Sequence, residues 1–551
     1  MNLKNAPLWI FLGLSAAMVY TANLPRHPSL GFLLILLSAG LLLFAFPAPP
    51  DSSHLTYKRA CLTLGLFGLA LLFIYRIDAP WTDHRSFNGA FWSAHARNIA
   101  RHGFIATKGI LFFTGGPDFD PEAPIANHHP PGLAWMLAVL FKLFGPHEWV
   151  ARMVPVAFSL AGAAAVLLLS LRRQGAAGAG CVLLAAAACP ALTYLGRMVN
   201  FEPLVLALSL AFYAALALFP ARRPGGPAFG FGCLAAAPLL GWAGGIWSFF
   251  AAGFLARTRR VRPRATVFLI PLAVLSGIAL FLSYHEVEGV KGMLLRSLKW
   301  HPSFRSDPMP SWTQWLAVVG AFLRALVPMP LWFLVPLVAF RPIRRALPGP
   351  LLAGTLAPFA LLLPVMPHAF YIHNYHVMSV WPLAALLAGA AAAALSHAPR
   401  SRFGLALALL LPLAMGMRTY ADMHRELPFR RNETACGKTL NAILPAHAKM
   451  ALVPKNKKFF SSNALFYMDR RYRTFETPEM ALSHIASWDY CLSPKEKPLP
   501  PEPTDSPFRL TVVPARLGAF VLVAKTPRSE DPEIGPNRNP DTASLAEPPT
   551  P

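Results

Sequence analysis

The sequence has little charge, and least of all negative charge. Charged residues make up 14% of its 551 positions, 26 acidic against 50 basic. Beside 55% hydrophobic residues and a mean hydropathy of +0.43, that scarcity excludes an ordinary soluble domain. Such a chain carries many membrane-embedded helices. Cysteine is scarce too, and six residues are too few for a disulfide scaffold. Cys61, Cys181, Cys189 and Cys233 lie in apolar runs and read as small core residues. Cys436 and Cys491 fall in the tail and could be bridged if it faces an oxidising compartment. RNP, zinc-finger and basic-helix patterns are missing, so the net charge of +24 does not read as nucleic-acid binding. It reads as cationic cytoplasmic loops plus a site for anionic lipid or phosphate. No internal repeat is evident. The first apolar segment, APLWIFLGLSAAMVY, lacks a small-residue cleavage site and reads as a retained helix.

What the sequence has in abundance is apolar runs. They lie at 6–22, 30–48, 60–77, 150–171, 175–195, 202–219, 228–242, 244–256, 265–284, 314–340, 350–367, 377–397 and 402–418. At roughly 17–25 residues per span this predicts about thirteen crossings, the two middle ones short. Basic turns fall at every second connection: Lys58/Arg59, Arg172/Arg173, Arg222/Arg223, ARTRRVRPR at 256–264, RPIRR at 341–345 and Arg400/Arg402. The intervening connections hold little positive charge (Arg26, Arg197), so the basic turns are assigned to the cytoplasm. Residues 78–149, the loop 285–313 and the tail then lie on the opposite side.

The predicted organisation is therefore an all-α polytopic membrane protein with a small extracytoplasmic α/β domain. It comprises three N-terminal spans (1–77), a first outer loop (78–149), a further set of spans (150–418), an α/β domain (419–525) and a disordered tail (526–551). Within the first loop, ANHHPPGLAWMLAVLFKLFG (126–145) has an apolar stretch too short to cross. A full crossing there would also move every later arginine pair to the outside. The stretch reads as a helix along the outer interface, with Trp135 at headgroup level and Lys142 snorkelling, or else as re-entrant. In the tail, ACGKTLNAIL and SSNALFYM predict helices, TPEMALSHIASW a helix start, MALVP and DYCLSP strands, and RLTVVPARLGAFVLVAKT a hairpin.

The chemistry-bearing residues sit in the outer segments. Asp83 follows a span directly, and an acid at the membrane surface is costly unless used or paired. A helix N-cap, or a pair with Arg85 or Arg97, explains it equally well on position alone. Asp118, Asp120 and Glu122 in GGPDFDPEAP are candidates for a second acid, although the glycines and prolines there also fit a solvated turn. Arg296 and Lys299 fall one helical turn apart in the second loop, with Arg305 nearby; they could grip a phosphate or simply touch anionic headgroups. His373, Tyr375 and His376 begin a late helix and could line the same cavity. For His128 and His129 a structural and substrate-lining role is favoured, since Pro130 and Pro131 restrict the backbone behind them. A divalent metal is conceivable on these histidines with Asp83, but no H-E-x-x-H spacing exists, so no cofactor is assigned.

Four stretches carry a resemblance: Asp83 with the ARNIARHG helix (96–103), HPP (129–131) leading to LFKLFG, ARMVPVAFSLAGAAAVLLL (151–169), and HNYHVMSVWPLAALLAG (373–389). In this order they resemble the GT-C glycosyltransferases, in the branch of protein O-mannosyltransferases and the lipid A aminoarabinose transferase. The layout extends over residues 60–420. The resemblance implies a GT-C-like fold, a polyprenyl-phosphate-linked sugar donor and an envelope acceptor (lipid, glycan or protein). It also implies inverting hexosyl or pentosyl transfer in a bacterial inner membrane, on its periplasmic face. Asp83 takes the base or acceptor-orienting role. The chain departs from the pattern in two places: His84 follows Asp83 where glutamate is usual, and Asn127-His128-His129 precedes the prolines where Glu-His or Glu-Lys is common. His84 is counted with the substrate-lining residues. A transporter or flippase of an anionic or lipid-linked substrate is the alternative, and a non-catalytic envelope assembly protein a third. Charges gathered at helix ends rather than midplane disfavour the transporter.

A cysteine placed at position 83 is expected to react with a membrane-impermeant thiol reagent from the side opposite the cytosol. Labelling from the cytosolic side only would overturn the charge-derived topology.

Overall fold

A computed structural model describes residues 53–218 apart from 124 and 126–129, residues 225–240, 311–349 and 373–394, and residues 399–527 with short gaps, the longest at 454–461. Scattered positions between 241 and 251 and between 351 and 363 complete the described residues. The runs expected at 6–22, 30–48 and 265–284 lie outside them, as does the tail beyond 527. The contacts divide the chain into two compact units, one of residues 1–114 and 119–434, the other of residues 115–118 and 435–551.

The first unit is helical. Its helices are α1 (Ser53–Ile74), α2 (Ser86–Thr107), α3 (Gly132–Phe144), α4 (Glu148–Ala188), α5 (Phe201–Leu218), α6 (Gly225–Leu240), α7 (Trp312–Leu326), α8 (Trp381–Ala394) and α9 (Pro399–Met423). α4 is two arms that meet at Gly175, whose φ of 73° only glycine adopts without strain. This matches the two runs 150–171 and 175–195. Among the described residues three helical stretches are long and apolar enough to span a bilayer: Glu148–Ala188, Phe201–Leu218 and Asn374–Ala394. A fourth would be the pair Trp312–Leu326 and Met329–Ala339, bent by 104°. The run 314–340 is thus not the single straight span the sequence predicts. Pro328 and Pro330 stand at the bend and remove backbone donors there. The count of thirteen is not reached among the described residues.

Small residues let these helices approach closely, as membrane packing requires. Gly389 of α8 lies against Val182 and Gly178 of α4, and Gly416 of α9 lies against the Ala188 carbonyl. One buried polar group is fully occupied: Gln174 Oε1 accepts from Ser170 at 2.6 Å, and its Nε2 donates to Leu386 O at 3.1 Å and Ala346 O at 3.4 Å. Arg172 donates to the carbonyl of Ala217 at the end of α5. The basic turns at 172–173 and 341–345 therefore share one end of the helix layer. The starts of α4 and α5 lie at the other end, about 30 Å away at 1.5 Å per residue.

The second unit holds a five-stranded sheet in the order β2-β1-β3-β5-β4, built from β1 (Lys449–Leu452), β2 (Arg471–Thr474), β3 (Tyr490–Pro494), β4 (Phe508–Val513) and β5 (Phe520–Pro527). β1 pairs parallel with β2 and β3, whereas β3, β5 and β4 pair antiparallel. The helices expected from the sequence form, at Pro428–Ile443, Ser462–Met468 and Pro478–Ser483. Thr477 caps the last of them by accepting the Met480 N–H at 3.2 Å. β2 (RYRT) was not expected; an edge strand with charged, exposed positions has no hydrophobic alternation to reveal it. Trp488, Cys491, Ala451 and Phe475 form the core, and the Cys436 and Cys491 thiols are both buried and not bridged to each other.

Gly416→Leu is expected to lower the thermal midpoint of the detergent-purified protein, because its side chain would fall on the Ala188 carbonyl. The cost should be about 1–3 kcal/mol. An unchanged midpoint would contradict the α4–α9 contact.

Candidate active site

The site is built around the carbonyl end of α1. The last carbonyls of a helix have no partner within it, and here side chains from distant elements supply them. Tyr420 of α9 donates to Leu72 O at 2.6 Å. Arg197 donates through Nη1 to Tyr75 O and through Nη2 to Arg76 O at 2.9 Å. Arg152, in the first turns of α4, donates to Ile77 O at 2.7 Å and Ala79 O at 2.5 Å. Its guanidinium also lies 4.1 Å from the centre of the Trp81 ring. Cations at a helix C-terminus are favoured by its dipole as well. Further along, the Thr82 carbonyl accepts the Leu427 N–H at 2.9 Å, and Gly89 leaves room for the Trp81 ring.

The chain so held delivers Asp83. Its Oδ1 accepts the Ser86 hydroxyl at 2.8 Å and the Arg85 N–H at 3.1 Å, which opens α2. Asp83 thus braces the turn before α2, whose N-cap is Arg85, and these bonds use one oxygen. Burial pushes the Asp83 carboxyl up; the Arg152 charge, foremost among the opposing influences, together with the Ser86 bond and Arg197, holds it below the usual carboxylate range. His424 sits behind this group. Its Nδ1 donates to Tyr420 O at 2.9 Å and its Nε2 accepts from Arg197 at 3.1 Å, the neutral tautomer. Burial, aided by Arg197, lowers its pKa to about 3. A cleft of about 270 Å³ opens beside Asp83, lined by Arg85, Ser86, Tyr194, Arg197 and Met198 among others. The Tyr194 hydroxyl accepts the Arg85 N–H at 3.2 Å, and burial raises its pKa, so it stays a phenol.

A second carboxylate, one the sequence reading missed, lies at the same end. Glu202, in the first turn of α5, is 9% exposed, and neither of its oxygens makes a hydrogen bond of normal geometry. His376 Nδ1 is 3.4 Å from Oε1. A signal for it was present: Glu202 is the only acidic residue between Glu148 and Glu286. An ionisable group in an otherwise apolar span is costly unless it serves a purpose. Arg85 lies between the two acids, interacting with both Asp83 and Glu202. Its guanidinium donates to Asn374 and rests 5.6 Å from the Tyr375 ring centre.

Arg85, Glu202, His373, Tyr375 and His376 therefore cluster; the His373 and Tyr375 rings stack at 4.8 Å. His84 is exposed on the loop, and burial of its flank lowers its pKa. Asp118 belongs to the second unit and pairs with His447 at 2.8 Å, both exposed. Asp120 is buried and caps its own turn by accepting the Glu122 N–H at 3.1 Å, while Glu122 is exposed. His128, His129, Arg296, Lys299 and Arg305 lie outside the described residues. Among the described residues no group of three or more His, Cys, Asp or Glu side chains could hold a metal ion. In the ARNIARHG stretch, Asn98 has a clear structural role: its Nδ2 donates to Phe112 O at 3.2 Å and Thr114 O at 2.7 Å, pinning the following loop.

Residues 128–284 match the family described as dolichyl-phosphate-mannose-protein mannosyltransferase. The fold is that of ArnT from Cupriavidus metallidurans. With that protein bound to undecaprenyl phosphate the TM-score is 0.59 at 13% identity, over 84% of this chain and 98% of that one. With its apo state the values are 0.56, 13%, 85% and 98%. An oligosaccharyltransferase from Archaeoglobus fulgidus in complex with Zn and sulfate gives 0.44 at 13% identity, over 78% of this chain and 68% of its own. Among curated proteins none matches. The chain thus resembles the GT-C glycosyltransferases in fold, and its residues 128–284 resemble the mannosyltransferase family in sequence.

Arg152→Lys removes the paired bonds to Ile77 and Ala79 and is expected to cost about 1.5–3 kcal/mol, read as a lower thermal midpoint. Glu426→Gln, which breaks only the half-exposed pair with Arg76, should cost under about 1 kcal/mol. Equal effects would show that Arg152 does not organise the loop.

Proposed function

We propose that this protein is a membrane glycosyltransferase that moves a sugar from a polyprenyl-phosphate donor to an envelope acceptor on the periplasmic face of a bacterial inner membrane. The observation that carries the reading is Asp83: a carboxylate kept ionised by fixed arginines, on a small cleft, beside a second buried acid with unused oxygens. The fold shared with ArnT, which has been crystallised with undecaprenyl phosphate, supports the choice of donor. The gathering of the arginine turns 172–173 and 341–345 at the opposite end supports the periplasmic assignment.

In this reading Asp83 accepts the proton of the acceptor hydroxyl or amine as that atom attacks the anomeric carbon. The bond from that carbon to the phosphate oxygen breaks, and the polyprenyl phosphate departs with the electron pair, inverting the centre. Arg85 interacts with both acids and stabilises charge on the departing phosphate. Arg296, Lys299 and Arg305 are proposed to grip the same phosphate from the second loop. Tyr375 and His376 line the sugar side with Glu202, which orients the acceptor. His84, His128, His129 and His373 complete the lining. The apolar surroundings exclude water, which would otherwise compete as acceptor.

Purified protein given a polyprenyl-phosphate sugar should transfer it, and Asp83→Asn should lower kcat by about 10²–10⁴-fold. Because the Asp83 carboxyl titrates below the usual range, wild-type transfer should lose no rate through this group down to about pH 4. Arg152→Gln leaves burial less opposed and should move the acid limb of the pH–rate profile upward. Full transfer by a folded Asp83→Asn protein would refute the assignment.

A further inference from the structure

The first unit holds a second cleft, of about 560 Å³, between α2 and α3. Ile99, Ala100, Phe104, Ala138, Val139 and Leu143 form its apolar wall, and among the described residues Lys142 is the one charged side chain on it. The opening has a local cause. α2 is interrupted at Gly103, with φ 85° and ψ 160°, and no atom lies within 4 Å of where a Cβ would sit. The two helices are tied beyond that break, where the Trp135 indole N–H donates to Gly109 O at 2.7 Å and the Trp135 ring meets Phe104 edge-on at 6.4 Å.

The mouth of the cleft is surrounded by apolar side chains that face outward. Ile105 is 97% exposed, Leu143 69%, and Val139 and Phe144 are each more than half exposed. A contiguous surface of this kind does not face water in a stable protein; beside spans of this hydropathy it faces hydrocarbon. Lys142 is exposed, and among the described residues no carboxylate is paired with it. An apolar slot with a lone ammonium at its edge is complementary to a molecule with a hydrocarbon tail and a negative headgroup.

We infer that this cleft seats an acyl chain of an anionic phospholipid, whose headgroup phosphate rests on Lys142. The occupant is a resident membrane lipid and not the transfer donor. The cleft residues Ile99 to Phe104 lie 13–18 positions beyond Ser86 on α2. That places them about 20–27 Å along the helix from the Asp83 turn at 1.5 Å per residue. The two clefts share no lining residue. A lipid wedged between α2 and α3 would brace the helix whose other end carries Asp83. The inference rests on the membrane placement of this face and not on the transfer reaction, so it can fail while the catalytic reading stands, and the reverse.

Native mass spectrometry of the full chain tests it, with protein released from nanodiscs of equal phosphatidylglycerol and phosphatidylcholine. Wild type is expected to retain phosphatidylglycerol over phosphatidylcholine by about fivefold, the contribution of one lysine at an anionic surface. Lys142→Gln, a surface change that leaves the fold intact, should bring the ratio near one without loss of total bound lipid. Ala100→Phe should remove the adduct for both lipids. No preference in wild type, or an undiminished preference in Lys142→Gln, would overturn the proposal. So would displacement of phosphatidylglycerol by equimolar undecaprenyl phosphate, because the cleft would then hold the donor's tail.

Discussion

The end of a helix leaves carbonyl groups without partners, and within a membrane there is little water to fill the need. At the end of α1, Tyr420, Arg197 and Arg152 bring donors from three separate parts of the chain to Leu72, Tyr75, Arg76, Ile77 and Ala79. Each of these bonds is strong because the surroundings are of low dielectric, and each would be costly to leave unmade. Together they fix the path by which the chain leaves the span. Trp81, Asp83 and the start of α2 take their positions from that path. The same arginines set the electrostatics. Their charge outweighs burial and keeps Asp83 ionised, so one network serves both architecture and chemistry.

The two acids of the site are held in opposite ways. One oxygen of Asp83 is fully engaged by Ser86 and the Arg85 N–H, and the group is surrounded by cations. Glu202 is buried without a hydrogen bond of normal geometry, with a His376 nitrogen 3.4 Å away and the Arg85 charge acting on it. Buried polar groups are almost always satisfied in folded proteins, so a carboxylate held this way is an exception that sets it apart from Asp83. Arg85, held by Asn374 and resting on Tyr375, links the pair. A mobile cation would be a poor mediator there, and the contacts on both sides of its guanidinium keep it in place.

Much of this was legible in the chain. The gap between the apolar runs 150–171 and 175–195, with its arginine pair, foretold the break in α4, which the structure places at Gly175. The T-P-E start and the DYCLSP run located a cap and a buried strand of the second unit, because local turn chemistry and alternation act over a few residues. Asp83 stood out as an acid just beyond a span. Other features were illegible for reasons that are equally physical. Arg197 read as a stray charge on an outer connection, and Arg152 as nothing at all, since a side chain that serves a carbonyl 73 or 122 positions away leaves no local pattern. The run 314–340 read as one span because hydropathy does not register the bend that its prolines impose. Asp118 and Asp120, close in sequence, belong to different units.

The sequence by itself determined that this chain is rich in membrane-type helices, roughly where several of them run, and that an aspartate stands just beyond one of them. These depend on composition, periodicity and the cost of moving charge through hydrocarbon, all of which are local or additive. Only the tertiary structure decided what surrounds that aspartate. Arg152, Arg197, His424 and Glu202 come from four separate segments, and their meeting depends on helix packing through glycine and alanine. No spacing along the chain encodes that convergence.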